Sequence, residues 1–219
     1  MMIAVPFFGD DPRFFKLLAH WFECHARSGT KIPAVVITDE LTLRDYPCLA
    51  VDTFELRRLV QRGNHPWDRK GAIVLEASRY LGRFLACDLD AFIEYDPAPL
   101  MADLPDVMLA TTADPGPREI KMHWNKGQPI TKQRNAGVMW FGDVKRREEL
   151  RAIYVREFYR MGGEFEKDEW REQLAWSAVA YQTGMHELPK ELNWSHLHPG
   201  KEMAAIVHEH GPTKWRRIA

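Results

Sequence analysis

Arg83-Phe84-Leu85-Ala86-Cys87-Asp88-Leu89-Asp90 reads as a short buried strand that ends in two carboxylates. In extended chain the i, i+2 spacing puts Asp88 and Asp90 on one side. Ligands of open α/β sheets bind where strands end. Two neighbouring acids repel, so a positive group between them is expected, and hard oxygen ligands favour Mg²⁺ or Mn²⁺. Such an ion would bridge to a diphosphate and stabilise it as a leaving group. The plainer alternative is a turn in which both carboxylates cap backbone.

Outward from this strand, short apolar runs alternate with helical segments, which predicts an α/β fold. Met2 to Phe8 is a first strand, followed by Asp11-Pro12 as N-cap and first helical residue. Phe14, Leu17, Leu18, Trp21 and Phe22 have helical spacing up to Ser28-Gly29. Ala34 to Thr38, Val107 to Thr112 and Ala136 to Phe141 are further strands. Helices are expected over Thr53 to Gln61, Trp67 to Tyr80, Arg147 to Met161 and Lys167 to Tyr181. Pro115 to Arg134 reads as a flexible loop, with Trp124 available to stack on a sugar ring. Residues 189–219 read as an irregular tail with one short strand, Ala204 to Val207. Residues 1–219 are expected to form a single domain with a mixed central sheet flanked by helices.

Composition limits the function. The chain has 219 residues, 45% hydrophobic and 28% charged, with net charge −1, as expected of an ordinary globular protein. No basic field attracts nucleic acid, so a polyanion must be held locally. Cys24, Cys48 and Cys87 form no CxxC pair, which argues against a disulfide framework or zinc knuckle and suits a reducing cytoplasm. The start lacks a secretory signal, and no run reaches the ~18 apolar residues of a membrane span.

Four other segments can carry chemistry. Lys70, in a helix start eighteen residues before Asp88, can reach a phosphate or can be an exposed side chain. In Asn135-Ala136-Gly137-Val138, Gly137 permits close approach of a ligand or neighbouring strand, and Asn135 offers donor and acceptor to a sugar hydroxyl. The alternative is a core strand entered by an Asn turn. Glu172 and Gln173 sit near a helix start, where they could stabilise positive charge developing at an anomeric carbon. They could equally be a solvated acidic helix start, with Asp168 as its N-cap or as the working acid. His208-Glu209-His210-Gly211-Pro212-Thr213-Lys214 offers an imidazole for a metal and an ammonium for phosphate, or a surface histidine.

Together, K-x17-D-x-D, N-A-G-V, an acid–Gln pair and H-x-x-G-x-x-K resemble the GT-A-fold retaining glycosyltransferases, such as glycogenin and the lipooligosaccharide galactosyltransferases. The likeness runs from Lys70 to Trp215. It implies a Rossmann-like GT-A domain that moves a hexose from a nucleotide-diphosphate sugar, through uridine by likeness alone, to a glycan, lipid or protein acceptor. It further implies Mn²⁺ or Mg²⁺ on Asp88, Asp90 and His208. Lys70, Asp88, Asn135, Ala136, Gly211 and Lys214 would contact the donor, Phe7 and Asp39 would border the base, and Glu172 with Gln173 would sit at the reacting carbon. This chain has Glu-Gln where the family has Asp-Gln, and Lys214-Trp215 where it has K-P-W. Pro6-Phe7-Phe8-Gly9 stands where the family is polar. Rival readings are a sugar-nucleotide or carbohydrate-binding protein without turnover, and a metal-dependent hydrolase built on His196, His198, His208 and His210.

Overall fold

A computed structural model describes residues 1–40, 43, 45–56, 66–113, 122–123, 129–130, 133–161, 171–195, 204–209 and 213–218. Its centre is a seven-stranded mixed sheet. The strands are β1 (Met2–Pro6), β2 (Ala34–Thr38), β3 (Cys48–Ala50), β4 (Phe84–Cys87), β6 (Ala110–Ala113), β9 (Arg134–Phe141) and β10 (His186–Glu187), in the order β10-β6-β9-β4-β1-β2-β3. β1 is parallel to β2 and β4, whereas β9 is antiparallel to both β4 and β6. β5 (Ala91–Ile93) leaves the sheet and pairs antiparallel with β11 (Ile206–His208), so the tail strand lies directly beside the acids. A third ribbon joins β7 (Met122–His123) to β8 (Pro129–Ile130).

Helices cover both faces. α1 (Pro12–Arg27) starts as read from sequence: the Asp11 side chain accepts from the Arg13 N–H, and Pro12 occupies the first turn. Gly29 follows its last turn with φ +73°, a left-handed conformation suited to glycine. On the other face lie α2 (Pro66–Ala77), α4 (Arg147–Met161) and α5 (Arg171–Thr183). α3 (Ala98–Ala102) and α6 (Thr213–Arg216) are short.

The strands divide their side chains by alternation. Ala4, Ala86 and Met139 face the α2/α4/α5 layer, while Ile3, Val5, Leu85, Cys87, Val138 and Trp140 face α1 and the β5–β11 ribbon. Trp21 of α1 is fully buried and donates its indole N–H to the Ala91 carbonyl at 2.7 Å, fixing α1 against β5. Across the sheet, Tyr154 of α4 packs on Trp176 of α5, with ring centroids 4.3 Å apart.

Several boundaries differ from the sequence reading. β9 begins at Arg134 rather than Ala136, and the segment read as a plain loop contains the β7–β8 ribbon. Arg134 is buried and pairs with Glu187 at 2.6 Å, so an ion pair compensates the charge that made this position look like loop. β3, β5 and β10 are two or three residues long, too short for a periodicity to register. Of the helix expected from Thr53, residues 54–56 are helical and the rest falls outside the described residues. Among the described residues no helix is long and apolar enough to cross a membrane.

Candidate metal and donor site

The site forms where β1, β4 and β9 meet. The strand ends at Cys87, so Asp88, Leu89 and Asp90 lie beyond it. They form a turn between β4 and β5, closed by the Ala91 N–H donating to the Asp88 carbonyl at 2.9 Å. The turn is anchored to β9 by the Asp88 N–H, which donates to the Gly137 carbonyl at 2.6 Å. The carboxylates therefore converge through a turn, not through strand alternation.

β11 brings His208 to meet them. Its Nε2 lies 3.3 Å from Asp90 Oδ1 and 4.0 Å from Asp88 Oδ2. One ligand atom from each of the three residues lies within 4.8 Å of the others, a spacing that one small divalent ion can span. Two carboxylates and an imidazole form a donor set that Mn²⁺ or Mg²⁺ tolerates.

The His208 ring is buried and fills the space above Gly137. A Cβ on Gly137 would overlap ring atoms Cε1, Nδ1 and Nε2. The close approach expected at Gly137 is thus made by a side chain. A similar fit occurs at Gly71, where a Cβ would overlap the Tyr154 hydroxyl and press on Glu172 Cγ at 3.3 Å. That gap lets α2 lie against α4 and α5.

Lys70 is buried, not exposed. Its ammonium lies 3.0 Å from Asp88 Oδ1 and 3.5 Å from Glu172 Oε2, and it donates to the Ala136 carbonyl at 3.5 Å. Burial works against its charge, but Asp88 and Glu172 outweigh it and hold the ammonium well above its ordinary range. Lys214 of α6 donates to Asp90 Oδ2 at 2.8 Å. Burial would raise the Asp90 carboxyl, yet His208 and Lys214 bring it well below the usual carboxylate range. Asp88 goes the other way: burial and the neighbouring Asp90 raise it in spite of Lys70.

Glu172 is buried in the first turn of α5, so it is not a solvated helix start. Its Oε1 accepts from the Trp176 indole N–H at 2.8 Å. Burial pushes its carboxyl up to about 7, with Lys70 opposing and Asp88 reinforcing the rise. Gln173 follows it, half-buried.

Beside these charged groups lies a cavity of about 330 Å³. Lys70, Asp88, Asp90 and Lys214 line one part, while Phe7, Phe8, Phe14 and Leu17 form an apolar wall. Phe7 thus lines the cavity. Asp39 instead takes the Arg69 guanidinium at 2.7 Å and accepts from the Thr53 hydroxyl at 2.8 Å. Asn135 Oδ1 is also engaged inside the protein: it accepts from the Gly137 N–H at 2.8 Å and from Asn193 Nδ2 at 3.1 Å. Asp168, Gly211, Trp124, His196, His198 and His210 lie outside the described residues.

Asn193 was not legible in advance. It follows a 3₁₀ turn (Lys190–Leu192) inside a segment that reads as irregular tail, and only its burial against Asn135 and His208 marks it.

No family model matches the chain, and no curated protein sequence matches it. Solved structures do. The galactosyltransferase LgtC, in complex with donor and acceptor sugar analogues, superposes with TM-score 0.64 at 16% identity, over 97% of this chain and 88% of that one. Mouse xyloside xylosyltransferase 1 gives 0.60 at 12% identity over 97% of both chains. The bifunctional glycosyltransferase WbbM gives 0.66 at 16% identity, and this chain spans about half of it (49%). The fold is therefore the GT-A fold of the glycosyltransferases.

Proposed function

We propose that this chain is a metal-dependent glycosyltransferase whose one domain moves a hexose from a nucleotide-diphosphate sugar to a glycan, lipid or protein acceptor. One observation carries the reading most: Asp88 and Asp90 converge with His208 and, together with Lys70 and Lys214, line part of a cavity sized for a ligand. The fold it shares with glycosyltransferases supports the same reaction class. The three free cysteines suit a reducing cytoplasm.

A divalent ion on Asp88, Asp90 and His208 would neutralise the diphosphate and favour its departure. Lys214 already stands against Asp90 and would turn its ammonium to a phosphate oxygen. Lys70 holds Asp88 and Glu172 in a fixed relation and presents a cation towards the donor. Glu172, oriented by Trp176, would set negative charge near the anomeric carbon as the bond to the leaving oxygen stretches. Gln173 would hold the sugar in place. Phe7 and Phe8 give the base an apolar wall. Uridine is the proposed base and Mn²⁺ the proposed ion, and both follow the family likeness. Transfer with retention is proposed on the same ground: the acceptor hydroxyl attacks from the side of the departing nucleotide and passes its proton to the leaving phosphate oxygen, so no strong protein base is needed.

The test is a panel of nucleotide-diphosphate sugars, with Mn²⁺ or with EDTA, read as donor hydrolysis and transfer. One donor should turn over only with the ion, and Asp90→Ala should abolish turnover. Equal rates in EDTA, or full activity in Asp90→Ala, would refute the metal assignment. Tight donor binding without any turnover would leave a sugar-nucleotide-binding protein.

A further inference from the structure

The back of the His208 ring faces a chain of buried amides. His208 Nδ1 lies 3.2 Å from Asn193 Oδ1. The other end of that amide, Asn193 Nδ2, lies 2.7 Å from Thr112 Oγ1 and 3.1 Å from Asn135 Oδ1. Asn135 Oδ1 in turn lies 2.8 Å from the Gly137 N–H. Asn135, Asn193, Thr112 and His208 are all buried.

Oxygen and nitrogen of an amide are interchangeable by shape, so their assignment has to come from the network. Here one group fixes the whole chain. A backbone N–H can only donate, so the Asn135 atom facing Gly137 is the oxygen. An oxygen that accepts needs a donor opposite, so the Asn193 atom beside it is the nitrogen. The remaining Asn193 atom, which faces His208, is therefore the oxygen and can only accept. His208 must then carry a proton on Nδ1. When the ring holds a single proton, its Nε2 presents a lone pair to Asp88 and Asp90. Thr112 strengthens the arrangement by occupying the second hydrogen of the Asn193 amide.

We infer that Asn193 is a positioning residue for the divalent ion: with Asn135 and the Gly137 N–H it locks His208 in the tautomer whose Nε2 can ligate. This rests on reading Asp88, Asp90 and His208 as the ion site. It adds a relay that starts at a main-chain N–H and ends at a metal ligand. The same Gly137 serves twice, because its missing Cβ makes room for the ring that its N–H orients.

The test compares Asn193→Leu with Asn193→Asp by Mn²⁺ binding, read from the electron paramagnetic resonance of free ion without nucleotide. Outer-shell partners of ligating histidines are worth roughly 10–100-fold in metal affinity. Asn193→Leu keeps the shape and loses the acceptor, so affinity should fall by about that factor. Asn193→Asp keeps an acceptor for Nδ1 and should bind more tightly than the Leu variant. A merely structural Asn193 predicts the reverse order, because leucine suits a buried site and a lone carboxylate does not, and that order overturns the inference. A second measurement needs no variant. Two-bond ¹⁵N correlation spectra of the His208 ring in the wild-type protein should show the proton on Nδ1, and a bare Nδ1 with protonated Nε2 overturns it. If the wild type binds no ion, the metal reading falls while the ring spectrum still decides the relay. If ion binds as expected and no sugar is transferred, the transfer reading falls and the relay stands.

Discussion

Replacing Glu172 with Gln should stabilise the protein in alkali while weakening it as an enzyme. The carboxyl is buried, and burial raises it from an ordinary 4.5 to about 7. Below about pH 4.5 both folded and unfolded chains carry it protonated, and its ionisation costs nothing. Between those values the folded chain retains a proton that the unfolded chain has released, so stability falls as pH rises. Above about pH 7 the penalty is complete, of order 3 kcal/mol at ~1.4 kcal/mol per pH unit. A carboxamide cannot ionise, still accepts from the Trp176 N–H, and leaves Lys70 its partner Asp88 at 3.0 Å. Glu172→Gln should therefore lie within about 1 kcal/mol of wild type near pH 5 and exceed it by roughly 2–3 kcal/mol near pH 8, or ~4–12 °C in Tm for a chain of this size. Urea unfolding of both proteins in EDTA, at both pH values, measures this directly. An equal gain at the two pH values, or none at the higher one, would show that the buried charge is not the cause. In the same variant kcat should drop by about 10²-fold, since the negative group proposed near the anomeric carbon is gone.

Gly137→Ala should place a methyl inside the His208 ring volume, displacing the ring, weakening Mn²⁺ by about tenfold or more and costing ~1–3 kcal/mol of stability; calorimetry of ion binding and thermal melts check both. Lys70→Met should leave Asp88 and Glu172 buried without their shared cation, at ~3–5 kcal/mol, and the loss should shrink in acid as the carboxylates protonate; urea midpoints across pH follow it. Mn²⁺ at a hundred times its Kd should raise wild-type stability by about 2.7 kcal/mol and leave the melting point of Asp90→Ala unchanged in a thermal-shift assay.

The strands with apolar runs were legible because burial on both faces leaves a continuous signal, as in Phe84 to Cys87. So was the start of α1, where Asp11 and Pro12 act through local chemistry. The identity of the acids was readable, but their geometry was not: a turn beyond the strand, rather than strand alternation, directs Asp88 and Asp90 together. The burial of Lys70 and Glu172 was hidden because each looks like a solvated helix start until Gly71 lets two helices approach. Asn193 lay beyond reading altogether, because its partners Thr112, Asn135 and His208 are 81, 58 and 15 residues away. The contacts of Asp39 with Arg69 and Thr53 were equally out of reach, because those partners lie 30 and 14 residues away.

The reversed direction of β9 makes tolerance to added length uneven along the chain. Because β9 runs against β4, its residues Val138 and Gly137 meet Cys87 and Asp88, while its last residue, Phe141, pairs with Phe84 at the far rim of the sheet. An insertion just after Phe141 falls at the rim remote from the carboxylates and should leave ligand binding unaltered. An insertion between Asn135 and Gly137 shifts the pleat by its own length, and a single added residue there would turn Asn135 away from Asn193. Engineered linkers, tags or fused modules therefore belong at the first of these places and not at the second.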